Sequence, residues 1–295
     1  MLTIILGVLE EGFVYAIMAL GIFITFKILD FPDLSVDGTF PMGAAVTVVL
    51  IKAGVNPLLT LLISFLIGAL AGIITGIIHV KLKVRDLLAG IIVMTALYSV
   101  NLRIAGSANV AIFTKDTIFE NDLLEKLVPE SLKPYLVSII MFIIVAALKL
   151  LLDIYLKTRS GYLLRAVGDN DKLVTLLAKD KGFVKIVGLA IANAFVSLAG
   201  CIYSQKIGFF EISMGTGTMI IGLASVIIGT NLFKKVSFIK DTTAVIIGSI
   251  IYKACVSIAI SMGMAASDLK LITAALFLSI LVISNNRKRK VKYNA

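Results

Sequence analysis

The chain has 295 residues, of which 59% are hydrophobic and 16% charged, with a net charge of +10 and a mean hydropathy of +1.04. A soluble domain carries roughly a quarter charged residues, so this composition belongs to a chain dissolved in lipid and leaves no room for a sizeable soluble domain. The basic excess lies in short segments between apolar runs, where membrane topology places it, which excludes nucleic-acid binding as its explanation.

The apolar runs fall at about 3–28, 38–52, 57–79, 87–106, 134–156, 183–204, 216–233, 241–260 and 268–284. They predict an all-α, polytopic transmembrane bundle of about nine segments, with eight and ten as the bounds, forming one domain over 1–295. The N-terminus, MLTIILGVLEEGF, has no basic n-region or small-residue cleavage site, so it reads as the start of the first span. Glu10 and Glu11 then sit near a membrane interface.

The second run is short and is preceded by Phe31-Pro32-Asp33-Leu34-Ser35-Val36-Asp37-Gly38-Thr39, with Gly43 to Val46 following. In the third run Gly68, Gly72 and Gly76 form a small-xxx-small stripe, the means by which helices approach closely in lipid. His79, the only histidine, ends this run beside Lys81 and reads as interfacial rather than metal-binding. In the fourth run Asn101 and Arg103, and in the sixth Asn193, are candidates for interhelical hydrogen bonds. Cys201 and Cys255 lie in apolar runs and read as small buried side chains. Lys253, in mid-segment, must snorkel or find an acid.

The stretch 157–185 carries seven basic residues against Asp169, Asp171 and Asp180. Arg159-Ser160-Gly161 reads as a turn. Leu163, Leu164, Ala166 and Val167 give a short apolar face, and Gly168-Asp169-Asn170-Asp171 reads as a break with a helix N-cap. Leu173 to Ala178 then continue with helical spacing. Two short amphipathic helices suit either docking on a partner or lying on the inner leaflet.

Before the seventh run the sequence reads Phe209-Phe210-Glu211-Ile212-Ser213-Met214-Gly215-Thr216-Gly217-Thr218, with Gly222 to Val226 following. Like 31–46, it has an acid, an aliphatic residue, Ser, another aliphatic residue, then Gly and Thr before a short apolar helix. The two short runs therefore read as half-helices or re-entrant pieces of an inverted internal repeat, the arrangement that places broken helices on a transporter's path. Asp33, Ser35, Asp37, Gly38, Thr39, Glu211, Ser213, Gly215 and Thr216 are the candidate path residues.

Lys and Arg set the orientation. The tail Arg287, Lys288, Arg289, Lys290 and Lys292 places the C-terminus in the cytoplasm. Counting back places 234–240, 157–185 and 81–85 inside, and the acid-rich 107–133 and the N-terminus outside. The 29–37 connection, whose charge is acidic, is the exception. The motifs H-E-x-x-H, G-x-S-x-G and G-x-x-x-x-G-K-[ST] are missing, as is any metal-ligand cluster. The chain reads as a non-enzyme that binds no cofactor or metal, so any ATP would be hydrolysed on a separate chain.

Gly161-Tyr162-Leu163-Leu164-Arg165-Ala166-Val167-Gly168-Asp169-Asn170 resembles the coupling segment of ABC importer permeases of the branched-chain amino acid and ribose type. Asp33-Leu34-Ser35-Val36-Asp37-Gly38 is similar to that family's stretch near the translocation path, and Gly222 to Gly229 to its second-half Gly-rich helix. Leu34 to Pro41, LSVDGTFP, resembles a subgroup paired with lipoprotein or periplasmic binding proteins, some for aromatic amino acids. Asp37 departs from the sugar-type branch, which has Gly there. The resemblance implies a multi-pass cell-membrane permease that translocates a small solute, an amino acid among the candidates, delivered by an extracellular binding protein. It implies a second permease copy and cytoplasmic ATPase subunits that contact Gly161, Leu164, Arg165, Ala166, Gly168, Asp169 and Asn170. The alternative reading is a secondary transporter driven by an ion gradient; an intramembrane enzyme is the remaining one.

Overall fold

A computed structural model describes residues 2–121, 128–169, 180–234, 236, 238–263, 268, 271–275, 277–279, 281 and 282. Residues 170–179 of the 157–185 loop, Asn170 among them, the basic tail and part of the ninth apolar run lie outside them. The helices are α1 (Leu2–Ile22, closing in a π-helical turn, Phe23–Ile28), α2 (Val36–Lys52), α3 (Pro57–Val80), α4 (Asp86–Ala105), α5 (Leu136–Tyr155), α6 (Arg159–Asp169), α7 (Lys181–Ile207), α8 (Thr218–Leu232) and α9 (Asp241–Ser261). Seven helical stretches among the described residues are long and apolar enough to cross a membrane, Ile212–Leu232, which runs into α8, among them. The 17-residue α2 is shorter than any of these stretches and almost wholly buried.

The boundaries follow local chemistry. The Asn56 side chain accepts from Leu58 N at 2.9 Å, with Pro57 in the first turn of α3. Asp180 caps α7 by accepting from Gly182 N and Phe183 N at 2.8 and 3.3 Å. Gly106 and Gly208, both left-handed, end α4 and α7.

Antiparallel packing of α1 on α7 forms the centre. Glu10, near the start of α1, pairs with Lys206, near the end of α7, at 3.1 Å. Further along, Gly21 lies against the Ala192 carbonyl and Leu29 against Gly188. The glycine stripe of α3 also packs on α7: a Cβ at Gly68, Gly72 or Gly76 would lie 2.4 Å from Ser197 Cβ, 2.2 Å from the Leu189 carbonyl oxygen or 2.9 Å from Ile186 Cα. On the other side α9 packs on α1, with Ser249 Oγ donating to the Gly12 carbonyl at 2.9 Å and Lys253 bound to Glu11 at 2.9 Å.

The neighbours repeat. Exchanging α1 with α7, α2 with α8 and α3 with α9 turns the pairs α3–α7, α2–α7 and α2–α3 into α9–α1, α8–α1 and α8–α9, and all six pairs are in contact. The repeat legible in the sequence is therefore also a repeat of packing, with α1 and α7 running in opposite directions.

Two strands, which the sequence analysis did not anticipate, tie the halves together. Asn109–Ala111 (β1) and Phe209–Glu211 (β2) pair antiparallel, Val110 facing Phe210. Val110, Ile112 and Phe210 pack on Ala44, Ala45, Val48 and Ile51 of α2. Gln205, overlooked as a polar group in an apolar run, reaches from α7 to Thr60 Oγ1 at 3.0 Å and accepts from Ile118 N at 3.0 Å. At the opposite end Asp153 of α5 binds Lys240 and Thr242, before and within the first turn of α9, at 2.9 and 2.6 Å. The 106–121 and 208–217 connections thus share one side of the bundle, and those at 156–159 and 238–241 the other.

Candidate functional site

The two irregular segments meet at Asp37. The start of α8 has no side-chain cap of its own. Asp37, in the first turn of α2, supplies it: Oδ1 accepts from Met219 N at 2.8 Å and Thr218 Oγ1 at 2.9 Å, and Oδ2 from Gly217 N at 2.9 Å. One carboxylate so lies at the positive ends of two helices that face each other. Pro41 has no N–H to offer the Asp37 carbonyl, and that carbonyl faces Gly215, where a Cβ would lie 2.1 Å away.

A cavity of about 450 Å³ opens beside this junction. Of the nine candidate path residues, Asp37, Gly38, Ser213 and Thr216 line it, and α4 adds Met94, Thr95, Tyr98 and Asn101. The α4 contribution to the cavity was missed, Asn101 being expected only to form interhelical hydrogen bonds, although Thr95 and Tyr98 precede it at helical spacing. Gly38 lets α4 approach, since a Cβ there would lie 2.9 Å from Leu97 Cβ. Asn101 Nδ2 donates to the Gly38 carbonyl at 2.9 Å.

Asp33, Ser35 and Thr39 are placed elsewhere. All three are buried around Asn193 of α7. Asn193 Nδ2 donates to Asp33 Oδ2 at 2.8 Å, and Asn193 Oδ1 accepts from Thr39 Oγ1 at 2.8 Å and Ser35 Oγ at 3.2 Å. Asp33 Oδ1 accepts from Ser35 N at 2.9 Å. This knot fixes the turn before α2 to α7 and lines no part of the cavity. Glu211 is exposed and accepts from Ser213 Oγ at 2.5 Å.

Helix α6 corrects one reading of the 157–185 loop. Arg159-Ser160-Gly161 is the first turn of the helix rather than a turn before it; the helix ends at Asp169, within the 168–171 stretch where a break is expected, and the rest of that stretch lies outside the described residues. Its glycines serve contact: a Cβ at Gly161 would lie 2.4 Å from the Tyr155 carbonyl, and one at Gly168 1.7 Å from the Ile28 carbonyl. Its apolar face is also spent within the chain, because Leu164 and Val167 are buried and Leu164 touches Gly188 of α7. Tyr162, Arg165 and Asp169 remain exposed along one face. They border a groove of about 570 Å³ completed by Lys27, Asp153, Lys240 and Thr242.

The other polar groups are structural. Glu10 and Glu11 are paired with Lys206 and Lys253, and Lys253 Nζ also stands 3.9 Å from the centre of the Tyr15 ring. His79 Nδ1 bonds the Val84 carbonyl at 2.9 Å and the ring meets Phe31 edge-on. Arg103 is exposed. Among the described residues no group of three or more His, Cys, Asp and Glu could hold a metal ion.

Residues 4–283 match the family described as branched-chain amino acid transport system / permease component. The chain is 42% identical, over 99% of its length and 95% of the relative's, to the tyrosine transport system permease protein of Clostridioides difficile (strain R20291). It is 33% identical, over 95% of its length and 97% of the relative's, to uncharacterized protein RP368 of Rickettsia prowazekii (strain Madrid E). No solved structure matches it.

Proposed function

This chain belongs to the branched-chain amino acid transport permease family, and from that premise we propose that it carries an amino acid across the membrane as the path-forming subunit of an ABC importer driven through α6. Tyrosine, or an aromatic amino acid like it, is the first substrate to test, because a relative similar over nearly the whole chain carries that name. The side bearing the β1–β2 ribbon faces outward with the N-terminus and receives the substrate from a binding protein. The side bearing α6 faces the cytoplasm, where a pair of ATPase subunits works on a pair of permease copies. This chain supplies no bond chemistry, and ATP is consumed on the partner.

The observation that carries this reading is the division of α6 into two faces. Leu164, Val167, Gly161 and Gly168 seat the helix on α1, α5 and α7, while Tyr162, Arg165 and Asp169 are exposed along the edge of a groove. A helix held rigidly by one face and free on the other can receive a push from a nucleotide-driven partner and pass it to α1 and α7. Asp37 is where such a push would act on the path, since it couples the ends of the two short helices. A gradient-driven carrier would leave the exposed face of α6 without a role.

The test is to co-purify the permease with its ATPase and binding protein and to assay ATP-dependent amino-acid uptake in proteoliposomes. Arg165→Glu combined with Tyr162→Ala should leave the permease folded while abolishing ATPase association and uptake. Retained association and uptake would remove α6 as the transmission. Uptake that persists without the ATPase would replace the importer with a gradient-driven carrier.

A further inference from the structure

We infer that the cavity between α2, α4 and Ile212–Gly215 is a substrate subsite that receives the ammonium end of an amino acid, with Asp37 as the accepting group and the unpaired Asn101 Oδ1 in the wall behind it. The inference rests on the importer reading above and adds a binding position and an orientation to it.

Asn101 has no exposed surface, and its Oδ1 has no hydrogen-bond partner. The amide cannot be turned round to relieve this, because Nδ2 donates to the Gly38 carbonyl at 2.9 Å and a flip would set two carbonyl oxygens together. A buried acceptor left unpaired costs about 1–3 kcal/mol. Asn101 belongs to the cavity wall, and its unpaired oxygen, closed off from the cavity surface, adds to the negative potential that an entering cation meets.

The charge of the wall selects the donor. Asp37 lines the cavity and no Lys or Arg does. Asp37 Oδ2 accepts only from Gly217 N among its hydrogen bonds, which leaves it acceptor capacity. A cation is therefore favoured inside, whereas a carboxylate would face Asp37 unpaired. An amino acid enters with its ammonium group inward and its carboxylate toward the mouth. Met94, Pro41, Ile212 and the Tyr98 ring give its side chain an apolar wall. The volume of about 450 Å³ lies in the range of small-molecule sites, roughly 300–1,000 Å³.

The experiment uses the complete transporter, permease with ATPase and binding protein, in proteoliposomes. Radiolabelled amino acids, L-tyrosine first, identify the best substrate of the unaltered protein. Asn101→Leu removes the acceptor at similar volume, and Met94→Trp fills the cavity from a different residue. Each should lower maximal uptake at least tenfold while ATPase association persists. Independently, Tyr98→Cys in a Cys255→Ser background gives a thiol at the mouth. L-tyrosine and tyramine, which keep the amine, should slow its labelling several-fold, and 3-(4-hydroxyphenyl)propionate, which lacks it, should not. If the unaltered transporter works but both cavity variants match it, or the deaminated acid protects as well as L-tyrosine does, the subsite is wrong and the importer reading stands. If the unaltered transporter takes up no amino acid, the importer reading fails and the subsite falls with it.

Discussion

Asp37 Oδ1 accepts the backbone N–H of Met219 at 2.8 Å, across 182 residues of chain. A cap normally comes from the residue just before the helix. Here the residue before α8 is Gly217, which has no side chain to offer, and the cap comes from the opposite half of the repeat. The junction therefore exists only when the two halves are assembled. Removing a cap costs about 0.5–2 kcal/mol, and leaving buried N–H groups unpaired adds about 1–3 kcal/mol. Asp37→Ala should lower the melting temperature of the detergent-solubilised protein clearly. Asp37→Asn, which keeps one acceptor, should fall between it and the parent. Equal melting temperatures for all three would show that the cap contributes nothing to assembly.

Asp33 and Asn193 make a second long-range pair, and its polarity can be reversed. Asp33→Asn sets two amide groups against each other, since the introduced amide has one oxygen to offer Ser35 N or Asn193 Nδ2 and cannot serve both. Asn193→Asp alone opposes two carboxyl groups. The double change Asp33→Asn with Asn193→Asp restores one donor and one acceptor, so it should recover much of the stability lost by either single change. Additive losses would mean that the pair is not coupled.

What was legible in the sequence follows from what lipid demands of it. Long apolar runs, the Gly68–Gly72–Gly76 stripe and the likeness of 31–46 to 209–226 are local patterns, and the structure turns each into a helix, a close contact or a repeat of neighbours. The partners of polar residues were not legible, because they depend on which helices meet. Asp33, Ser35 and Thr39 share a motif with Asp37 and Gly38 but alternate around the start of α2, so one set turns to Asn193 and the other to the cavity. Gly161 looked like a turn residue because glycine marks both turns and close contacts, and only the nearness of the Tyr155 carbonyl distinguishes the two.

Glycine roles can be separated by adding one methyl group. A Cβ at Gly72 would lie 2.2 Å from the Leu189 carbonyl, whereas one at Gly7 in α1 meets nothing within 4 Å. Exchange of glycine for alanine in a helix gains roughly 0.5–1 kcal/mol when space allows. Gly7→Ala should therefore be neutral or mildly stabilising. Gly72→Ala should be strongly destabilising, because α3 must move off α7. Comparable melting temperatures for the two variants would mean that α3 is not seated on α7 by this contact.

Neighbouring residues of α6 should fail in different ways. Leu164 is fully buried, and truncating a buried leucine costs about 2–5 kcal/mol. Leu164→Ala should lower the melting temperature of the isolated permease and reduce ATPase association only as a consequence of a loosened helix. Arg165→Glu, on the exposed face, should leave the melting temperature within about 0.5 kcal/mol equivalent and abolish association. The contrast is read by pairing thermal unfolding of the permease alone with co-purification of the complex. If Arg165→Glu destabilises the isolated chain as much as Leu164→Ala does, the exposed face is part of the fold and not a surface for a partner.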